Sequence, residues 1–440
     1  MKKELTLSLL MLALAACGGG GEGESQGSSG GNSGVTPPAP RLSGDFVRQS
    51  TKCDVRSPDT AAKVVLHKKD GSVLAVHQPD AQGHIDIPLP ADAAHVSLVR
   101  TFFDSWLYIS TSLEYKGGDL GINVSYDDAL DDSCECKSVR VNPTQLADAF
   151  PEHQIFLDSK HYLDNTPLIE ESVYSFCKAP DAQYPSVDLW LHPTVPNDTA
   201  YGALLDVNLL DDVLDLTEEL VSGEDKLGVE VNLTASTGYF DGASAYGVTR
   251  DGRRHYMSTP GALYLFPGIH THNFVQGSHL EFLERSAEAD VVYYSANRLR
   301  VADASQPQIL ALDDNSQQLL AVIQSFLQGV ESESAVTYDL SNIGNSRSAF
   351  VVDFSGHNMS WTINAPVTGT FPDLTLPEDI LAKIDASEPY GVMFESFGYG
   401  QSGGVDELRR QWALQSRSGT LLTPTFFENY TSEIIDVSIK

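Results

Sequence analysis

Apolar and polar residues alternate most clearly between residues 63 and 102. The run Val64-Val65-Leu66 leads to Asp70-Gly71, a dipeptide typical of tight hairpin turns, and a second turn follows at residues 80–83. Apolar side chains recur at short, mostly alternating intervals at Val73, Leu74, Val76, Ile85, Ile87, Leu89, Val96, Leu98 and Phe102. Short strands with turns about every ten residues predict a β-sandwich.

Alternation of apolar and polar residues is also found later in the chain. Val229, Val231 and Leu233 alternate with polar residues, and segments 349–354 and 360–363 read as further strands. Apolar residues that share one helical face predict a helix that starts near Asn315-Ser316 and ends at Gly329; they are Leu319, Leu320, Ile323, Phe326 and Leu327. Short helices are predicted at 209–221, 377–385 and 405–414. The predicted fold class is therefore mainly β, with multi-domain β-sandwich modules and a few short helices.

The N-terminus has a different pattern. Lys2 and Lys3 precede an almost wholly apolar run of about ten residues, which ends at Ala15-Ala16-Cys17. A basic start, a short apolar run and small residues before a cleavage point are typical of a secretory signal peptide. The run is too short for a bilayer, which requires about twenty apolar residues. Residues 1–16 are therefore predicted to be a signal peptide.

The segment Leu14-Ala15-Ala16-Cys17 resembles the lipobox of Gram-negative bacterial lipoproteins. The resemblance implies cleavage before Cys17, a diacylglycerol on its thiol and a fatty acid such as palmitate on its new amine. Two or more acyl chains hold a protein stably at a bilayer, whereas one does so only marginally. Gly18, where an aspartate would retain such a protein at the inner membrane, implies the outer membrane.

Residues 17–41 are predicted to carry the lipidated cysteine and a flexible tether, because Gly and Ser dominate up to the prolines at its end. The rest of the chain is long enough for about three domains. We predict a disulfide-stapled β-sandwich-like domain at 42–180, a mainly-β domain at 181–305, and an α+β or β-sandwich-like domain at 306–440.

Four cysteines remain after Cys17, and an even number in an oxidising compartment indicates two disulfides. Cys134 and Cys136 are too close in sequence to pair with each other, since side chains two apart along an extended strand leave no suitable geometry. We expect one of them to pair with Cys53 and the other with Cys177. Which cysteine pairs with which stays open.

The charge balance excludes one class of partner. The chain has 28 Lys and Arg against 60 Asp and Glu, a net charge of −32, so binding of nucleic acid through a basic face is not expected. The densest acidic cluster consists of Asp127, Asp128, Asp131 and Asp132. It lacks the spacing of a calcium-binding loop, and we interpret the acidity as a contribution to solubility.

Two short motifs are candidates for chemistry. His270-Thr271-His272 is the best candidate for a metal site, because a His-x-His pair in a strand places both imidazoles on one face. Residues 400–404 match the Gly-x-Ser-x-Gly pattern of a nucleophile elbow. The last histidine of the chain is His357, however, so the catalytic histidine that should follow the serine does not exist.

The phrase from Asp70-Gly71 through Gly83 and Ile85 to Pro90 resembles carboxypeptidase regulatory-like, or transthyretin-like, β-sandwich modules. The resemblance implies a structural or ligand-binding module. It does not imply a peptidase, since no zinc-protease motif accompanies it.

We therefore expect a membrane-anchored extracytoplasmic lipoprotein with a non-catalytic binding or envelope-structural role and no cofactor. Its expected partners are the lipid bilayer, through acylated Cys17, and an envelope protein or glycan. Two alternatives stay open. One is a metal-dependent enzyme that uses His270 and His272, and the other is a subunit of a surface-assembly or secretion complex.

Overall fold

The structure is a computed structural model. It describes residues 40–103, 106–158, 161–163, 172–195, 198–250, 254–257, 262–286, 289–312, 314–331, 336–344, 346–356, 358–384, 391–418 and 423–439. The predicted signal peptide and all of the predicted tether before Pro40 lie outside these residues.

Strands dominate the described chain, which confirms the mainly-β prediction. The first strands are β1 (Arg41–Gln49), β2 (Arg56–Pro58), β3 (Lys63–His67), β4 (Val73–His77), β5 (His84–Pro88), β6 (His95–Phe102), β7 (Trp106–Ser112) and β8 (Gly118–Tyr126). There follow β9 (Glu135–Asn142), α1 (Thr144–Ala149), β10 (His153–Leu157), β11 (His161–Leu163), β12 (Ser172–Lys178), β13 (Val187–Pro193), β14 (Tyr201–Leu205) and β15 (Val213–Asp215).

The middle of the chain contains β16 (Val229–Val231), β17 (Leu233–Thr237), β18 (Gly242–Val248), β19 (Arg254–Met257), β20 (Leu263–Leu265), β21 (His272–Arg285), β22 (Ala289–Val301) and β23 (Gln308–Ala311). The last elements are α2 (Ser316–Glu331), β24 (Val336–Asp339), β25 (Ala349–Ser355), β26 (Met359–Ala365), β27 (Thr368–Phe371), α3 (Glu378–Leu381), β28 (Gly391–Gly398), α4 (Gly404–Arg417) and β29 (Tyr430–Ile439).

One large sheet connects distant parts of the chain. Its twelve strands run in the order β19-β18-β21-β22-β29-β28-β25-β26-β7-β6-β3-β4. Neighbouring strands are antiparallel except β26 and β7, which are parallel. Strands from all three predicted domains contribute to this sheet, while the domain boundaries themselves stay a prediction.

The apolar run in β3 is buried on both faces of the sheet. Val64 and Leu66 lie in a core shared with β1 and β5, whereas Val65 faces the main core, which α2 covers with Leu319 and Ile323. Strands that are covered on both faces read as continuous apolar runs rather than as alternating ones. β3 therefore contributes side chains both to the core of the N-terminal sandwich and to the main core.

The hairpin predicted at Asp70-Gly71 is confirmed, because β3 and β4 are antiparallel neighbours. Gly71 has a φ of 92°, and a Cβ there would lie 2.1 Å from the backbone oxygen of Asp373. Only glycine meets both conditions. The turn is thus held tightly against the chain segment that follows β27.

Three helix predictions are confirmed and one is wrong. α2 begins at Ser316 as predicted and ends two residues after Gly329, while α3 and α4 lie in the segments predicted near 377 and 405. Segment 209–221 contains β15 and a 3₁₀ turn, Glu218–Leu220, instead of a helix. Leu214 is buried between exposed neighbours and β15 pairs with β9, so sheet pairing decides this segment.

The two predicted disulfides are confirmed. Cys53 is bonded to Cys134, and Cys136 is bonded to Cys177. The second bond joins residues that lie directly opposite each other on β9 and β12. The strands β9, β10, β12, β13 and β14 surround a separate apolar core. The Cys53–Cys134 bond therefore fastens the N-terminal sandwich to the beginning of this second unit, whereas Cys136–Cys177 lies within the second unit.

Candidate binding cleft

The turns at one end of the N-terminal sandwich border an open cleft of about 680 Å³. Its walls come from the β3–β4 turn, the β5–β6 connection, the β7–β8 connection and the segment after β27. Much of its lining is apolar and includes Leu89, Pro90, Ala93, Tyr115 and Pro372. We call this cavity the turn cleft. Pro40, in the last part of the predicted tether, also lines it.

A buried histidine fixes the walls of the turn cleft. His95 is 4% exposed; its Nδ1 accepts a hydrogen bond from the backbone N–H of Glu114 at 3.0 Å. Its Nε2 lies 3.3 Å from the carbonyl oxygen of Lys69 and therefore carries the proton of the neutral ring. Burial lowers the pKa of His95, which favours this neutral form. The ring thus joins the two turns that carry Lys69 and Glu114.

The β7–β8 connection has an unusual backbone where it borders the cleft. Glu114 adopts a φ of 53°, in the left-handed region that non-glycine residues seldom occupy. Gly117 has a φ of 96°, and a Cβ there would lie 3.0 Å from the backbone oxygen of Arg41. The hydrogen bonds of Glu114 to His95 and of Tyr115 to the Ala94 oxygen hold this conformation. The wall is therefore preformed.

Three charged side chains line the turn cleft: Lys69, Lys116 and Glu114. With Asp406, the ion-pair partner of Lys116, the two positive charges stand beside two negative charges. Lys116 is bonded to Asp406 at 2.6 Å, which raises the pKa of Lys116. The ammonium group of Lys69 has no ion pair in the described part of the chain.

The tyrosine of the cleft is fastened to α4. Tyr115 is 7% exposed, and burial raises its pKa to about 12, so the hydroxyl group stays protonated at neutral pH. The guanidinium of Arg409 lies 5.8 Å from the ring centroid. Arg409 also donates hydrogen bonds to the backbone oxygens of Leu113 and Asn364. These contacts hold the Tyr115 segment of the cleft wall against α4.

The structure separates the surroundings of the two predicted metal ligands. His270 lies in the turn before β21 and is 4% exposed, with its ring 5.2 Å from that of Trp190. His272 is the first residue of β21, and its ring lies 6.3 Å from that of Phe274. Burial, aided by the charge of Arg300, lowers the pKa of His272. The expectation that one strand presents both rings is wrong, because the strand begins only at His272.

The sequence before His270 explains why this residue lies in a turn and not in the strand. Phe266 accepts hydrogen bonds from the backbone N–H groups of Ile269 and His270, and Pro267-Gly268 forms the turn between them. Proline followed by glycine is a turn signal that could have been used. Over the described ranges, no group of three or more His, Cys, Asp or Glu residues is positioned to hold a metal ion. The metal site at His270 and His272 stays a prediction.

The packing of His270 leads to a testable expectation. A Cβ added at Gly247 would lie 1.9 Å from Nδ1 of His270, whereas one at Gly242, in the same strand, would meet only the Ser278 hydroxyl. We expect Gly247→Ala to lower the free energy of unfolding by about 1–3 kcal/mol through overpacking. Gly242→Ala serves as the control, with a change within about 0.5 kcal/mol. Equal thermal unfolding midpoints for the two variants would show that His270 is not packed as described.

Two carboxylates of the acidic cluster form hydrogen bonds that stabilise the local fold. Asp127 accepts hydrogen bonds from the backbone N–H of Ala129 and from the guanidinium of Arg48. Asp131 accepts from the hydroxyl groups of Ser50 and Thr51, and the Ser50 hydrogen bond contributes most to lowering the pKa of Asp131 to about 2. These carboxylates fasten the 3₁₀ turn Asp128–Ser133 to the end of β1, beside the Cys53–Cys134 disulfide.

The sequence gives no indication of a charged cluster that is buried beneath α2. Arg347 donates to Glu433, and the side chains of both residues are 1% exposed. The same carboxylate accepts a hydrogen bond of 2.6 Å from Tyr293 and two from the side-chain amide of Asn315, at 3.1 and 3.0 Å. Burial, the largest cause, raises the pKa of Tyr293. The four residues come from distant segments, so no local pattern could reveal them.

Cys17 lies outside the described residues, and so does every other residue before Pro40. Of the helices in the described ranges, none has the length and apolar character that crossing a membrane requires. Comparisons of the chain with protein-family models, curated proteins and solved structures find no match.

Proposed function

We propose that this chain is an extracytoplasmic lipoprotein, anchored to the outer membrane through acylated Cys17, with a non-catalytic binding role. The lipobox Leu14-Ala15-Ala16-Cys17 supports the anchor. The two disulfides support an oxidising compartment, because such bonds persist in exported proteins and are rare in the cytosol.

The turn cleft is the single observation that carries the binding role. It is an open cleft whose lining is more apolar than polar and includes a few charged residues, features that it shares with small-molecule sites. The resemblance of residues 70–90 to carboxypeptidase regulatory-like modules points to the same role. The net charge of −32 contributes to the solubility of the chain.

Replacement of Cys17 tests the anchor. We expect the wild-type protein in the membrane pellet and Cys17→Ala in the soluble extracytoplasmic fraction, because the substitution removes the site of acylation. Cys53→Ser/Cys134→Ser is the matched control, since it changes two cysteines without touching the lipobox, and it should stay in the pellet. Equal membrane fractions for wild type and Cys17→Ala would contradict the proposed anchor. Proteinase treatment of intact cells then identifies the membrane face on which the body lies.

A further inference from the structure

We infer that two buried histidines make the walls of the turn cleft sensitive to acid. His67 and His95, which we call the histidine pair, hold the β3–β4 turn and the β7–β8 connection while both rings are neutral. Protonation of either ring removes a hydrogen bond that the ring accepts and places an uncompensated charge in the core, so that the walls loosen. The inference goes beyond the proposed binding role, and its test needs no ligand.

The two rings are neighbours in the large sheet. His67 is the last residue of β3 and His95 is the first residue of β6, and the two are directly opposite each other in these antiparallel strands. Side chains of directly opposite residues lie on the same face of a sheet. His67 is 0% exposed and His95 is 4% exposed. Two groups that can each carry a positive charge are therefore buried side by side.

Both rings hold the same turn through its backbone. Nδ1 of His67 lies 3.2 Å from the carbonyl oxygen of Gly71, and Nε2 of His95 lies 3.3 Å from that of Lys69. A carbonyl oxygen only accepts hydrogen bonds, so each of these nitrogens carries the proton of a neutral ring. The β3–β4 turn, which forms one wall of the turn cleft, is thus attached to the sheet by both histidines.

The second nitrogen of His67 is an acceptor at the end of a chain of hydrogen bonds. Nε2 of His67 accepts from the hydroxyl of Ser97 at 2.8 Å. The Ser97 oxygen then accepts from the hydroxyl of Thr111 at 2.7 Å, and the Thr111 oxygen accepts from Nε1 of Trp361 at 2.9 Å. All three bonds run in one direction, from β26 through β7 and β6 to β3. A proton on Nε2 of His67 would make it a donor that faces another donor.

The second nitrogen of His95 is an acceptor as well. It receives the backbone N–H of Glu114 at 3.0 Å. Glu114 has a φ of 53°, which a residue other than glycine seldom adopts, so its backbone depends on such contacts. A proton on Nδ1 of His95 would break this hydrogen bond and release the β7–β8 connection. Each wall of the cleft therefore has a contact that acid removes.

The charges around the histidine pair do not replace these contacts. All four ring nitrogens of the pair contact uncharged groups. The charges of Glu114 and Asp70 favour a protonated His95, whereas that of Arg409 opposes it, and a charge on His95 opposes one on His67. The charged and titratable groups of the neighbouring elements are Lys68, Lys69 and Asp70 in the β3–β4 turn, Glu114, Tyr115 and Lys116 in the β7–β8 connection, Arg409 in α4, Tyr338 in β24 and Asp373 after β27.

Burial determines the direction of the pH effect. It is the largest cause of the lowered pKa of both histidines, and the pKa of His67 falls from 6.5 to about 4. In loosened walls the rings reach water and regain an ordinary pKa near 6.5. The closed form therefore binds fewer protons than the loosened form. Its stability is fully present above about pH 6.5 and decreases as the pH falls from there towards about 4.

Hydrogen exchange of the full mature protein, measured by mass spectrometry at about pH 7.5 and about pH 5, tests the inference. We call residues 68–73 and 113–117 the wall segments. After correction for the pH dependence of intrinsic exchange, the protection of the wall segments should fall roughly tenfold or more at the lower pH, because each pKa unit corresponds to a factor of about ten. Residues 350–354, in β25, should keep their protection.

Replacement of the rings separates their contribution from that of other groups. His67→Gln and His95→Gln should each reduce the loss of protection, and the double variant should lose less than about threefold. His77→Gln is the matched control, since His77 lies in β4 opposite Val64 and outside the histidine pair, and this variant should respond to acid as wild type does.

Three results would overturn the inference. One is unchanged protection of the wall segments in wild type at about pH 5, which decides the question even if a glutamine variant does not fold. Another is a full acid response in the double variant. The third is an equal loss of protection in residues 350–354, which would mean that acid unfolds the whole sheet. Because no ligand is present, none of these results changes the support for the binding role.

Discussion

Arg347→Met is expected to lower the free energy of unfolding by about 3–5 kcal/mol, the range for removal of one partner from a buried ion pair. The substitution keeps most of the apolar volume of the side chain and removes only its charged end. Glu433 would then be a buried carboxylate, 1% exposed, whose other partners Tyr293 and Asn315 are neutral. Urea-induced unfolding of the purified protein measures the change.

A double variant distinguishes the cost of leaving the Glu433 carboxylate unpaired from the cost of lost packing. Arg347→Met/Glu433→Gln removes both charges, and the glutamine oxygen still accepts from Tyr293. Nε and Nη1 of Arg347 have no hydrogen-bond partner within the described ranges, so their removal has no cost of its own. The free energy of unfolding of the double variant should therefore lie within about 1–2 kcal/mol of the wild-type value, because replacing both members of a buried ion pair by uncharged residues often changes stability little.

Arg410→Met is the matched control for this pair. Arg410 bonds to Glu407 on the surface of α4 and is 57% exposed, so its removal should cost no more than about 1 kcal/mol. If Arg347→Met costs no more than Arg410→Met, the buried pair does not stabilise the sheet as we describe.

Loss of the Cys53–Cys134 disulfide is the second large effect that we expect. The bond closes a loop with a sequence separation of 81, and the entropy of that loop in the unfolded chain corresponds to about 4.5 kcal/mol. Cys53→Ser/Cys134→Ser should lower the free energy of unfolding by about this amount under oxidising conditions. The contacts of Asp131 with Ser50 and Thr51 stay in place, so the native geometry should persist.

The other disulfide provides the comparison. Cys136–Cys177 has a sequence separation of 41, so Cys136→Ser/Cys177→Ser should cost roughly 0.5 kcal/mol less by the same loop argument. With a reducing agent present, each double variant should approach the stability of reduced wild type. A cost below about 1 kcal/mol for the Cys53–Cys134 pair would contradict a stapling role for that bond.

Features that depend on neighbours in sequence could be predicted. The Asp70-Gly71 hairpin follows from turn chemistry, and the start of α2 follows from Ser316, which donates to Asp314 two residues before it. The presence of two disulfides, with Cys134 and Cys136 in different bonds, could be predicted from compartment and spacing, whereas the choice between the two possible pairings could not. In each case a short segment contains its own physical reason.

Features that depend on distant pairing could not be predicted. β26 lies beside β7 although about 250 residues separate them, and no periodicity in either strand specifies that partner. The turn cleft likewise combines Lys69 with residues after β27, and Arg347 meets Glu433 only because the sheet brings β25 near β29. The predicted strand through His270 and His272 is wrong for a local reason, because the turn at Pro267-Gly268 includes His270 and the strand begins only at His272.

The mass of the N-terminal peptide of the membrane-extracted protein tests the central claim most directly. If the chain is an anchored lipoprotein, the peptide begins at Cys17 and carries the added mass of a diacylglyceryl group and one further acyl chain. A peptide that retains Met1, or one that begins at Cys17 with a free thiol and a free amine, would contradict the proposal.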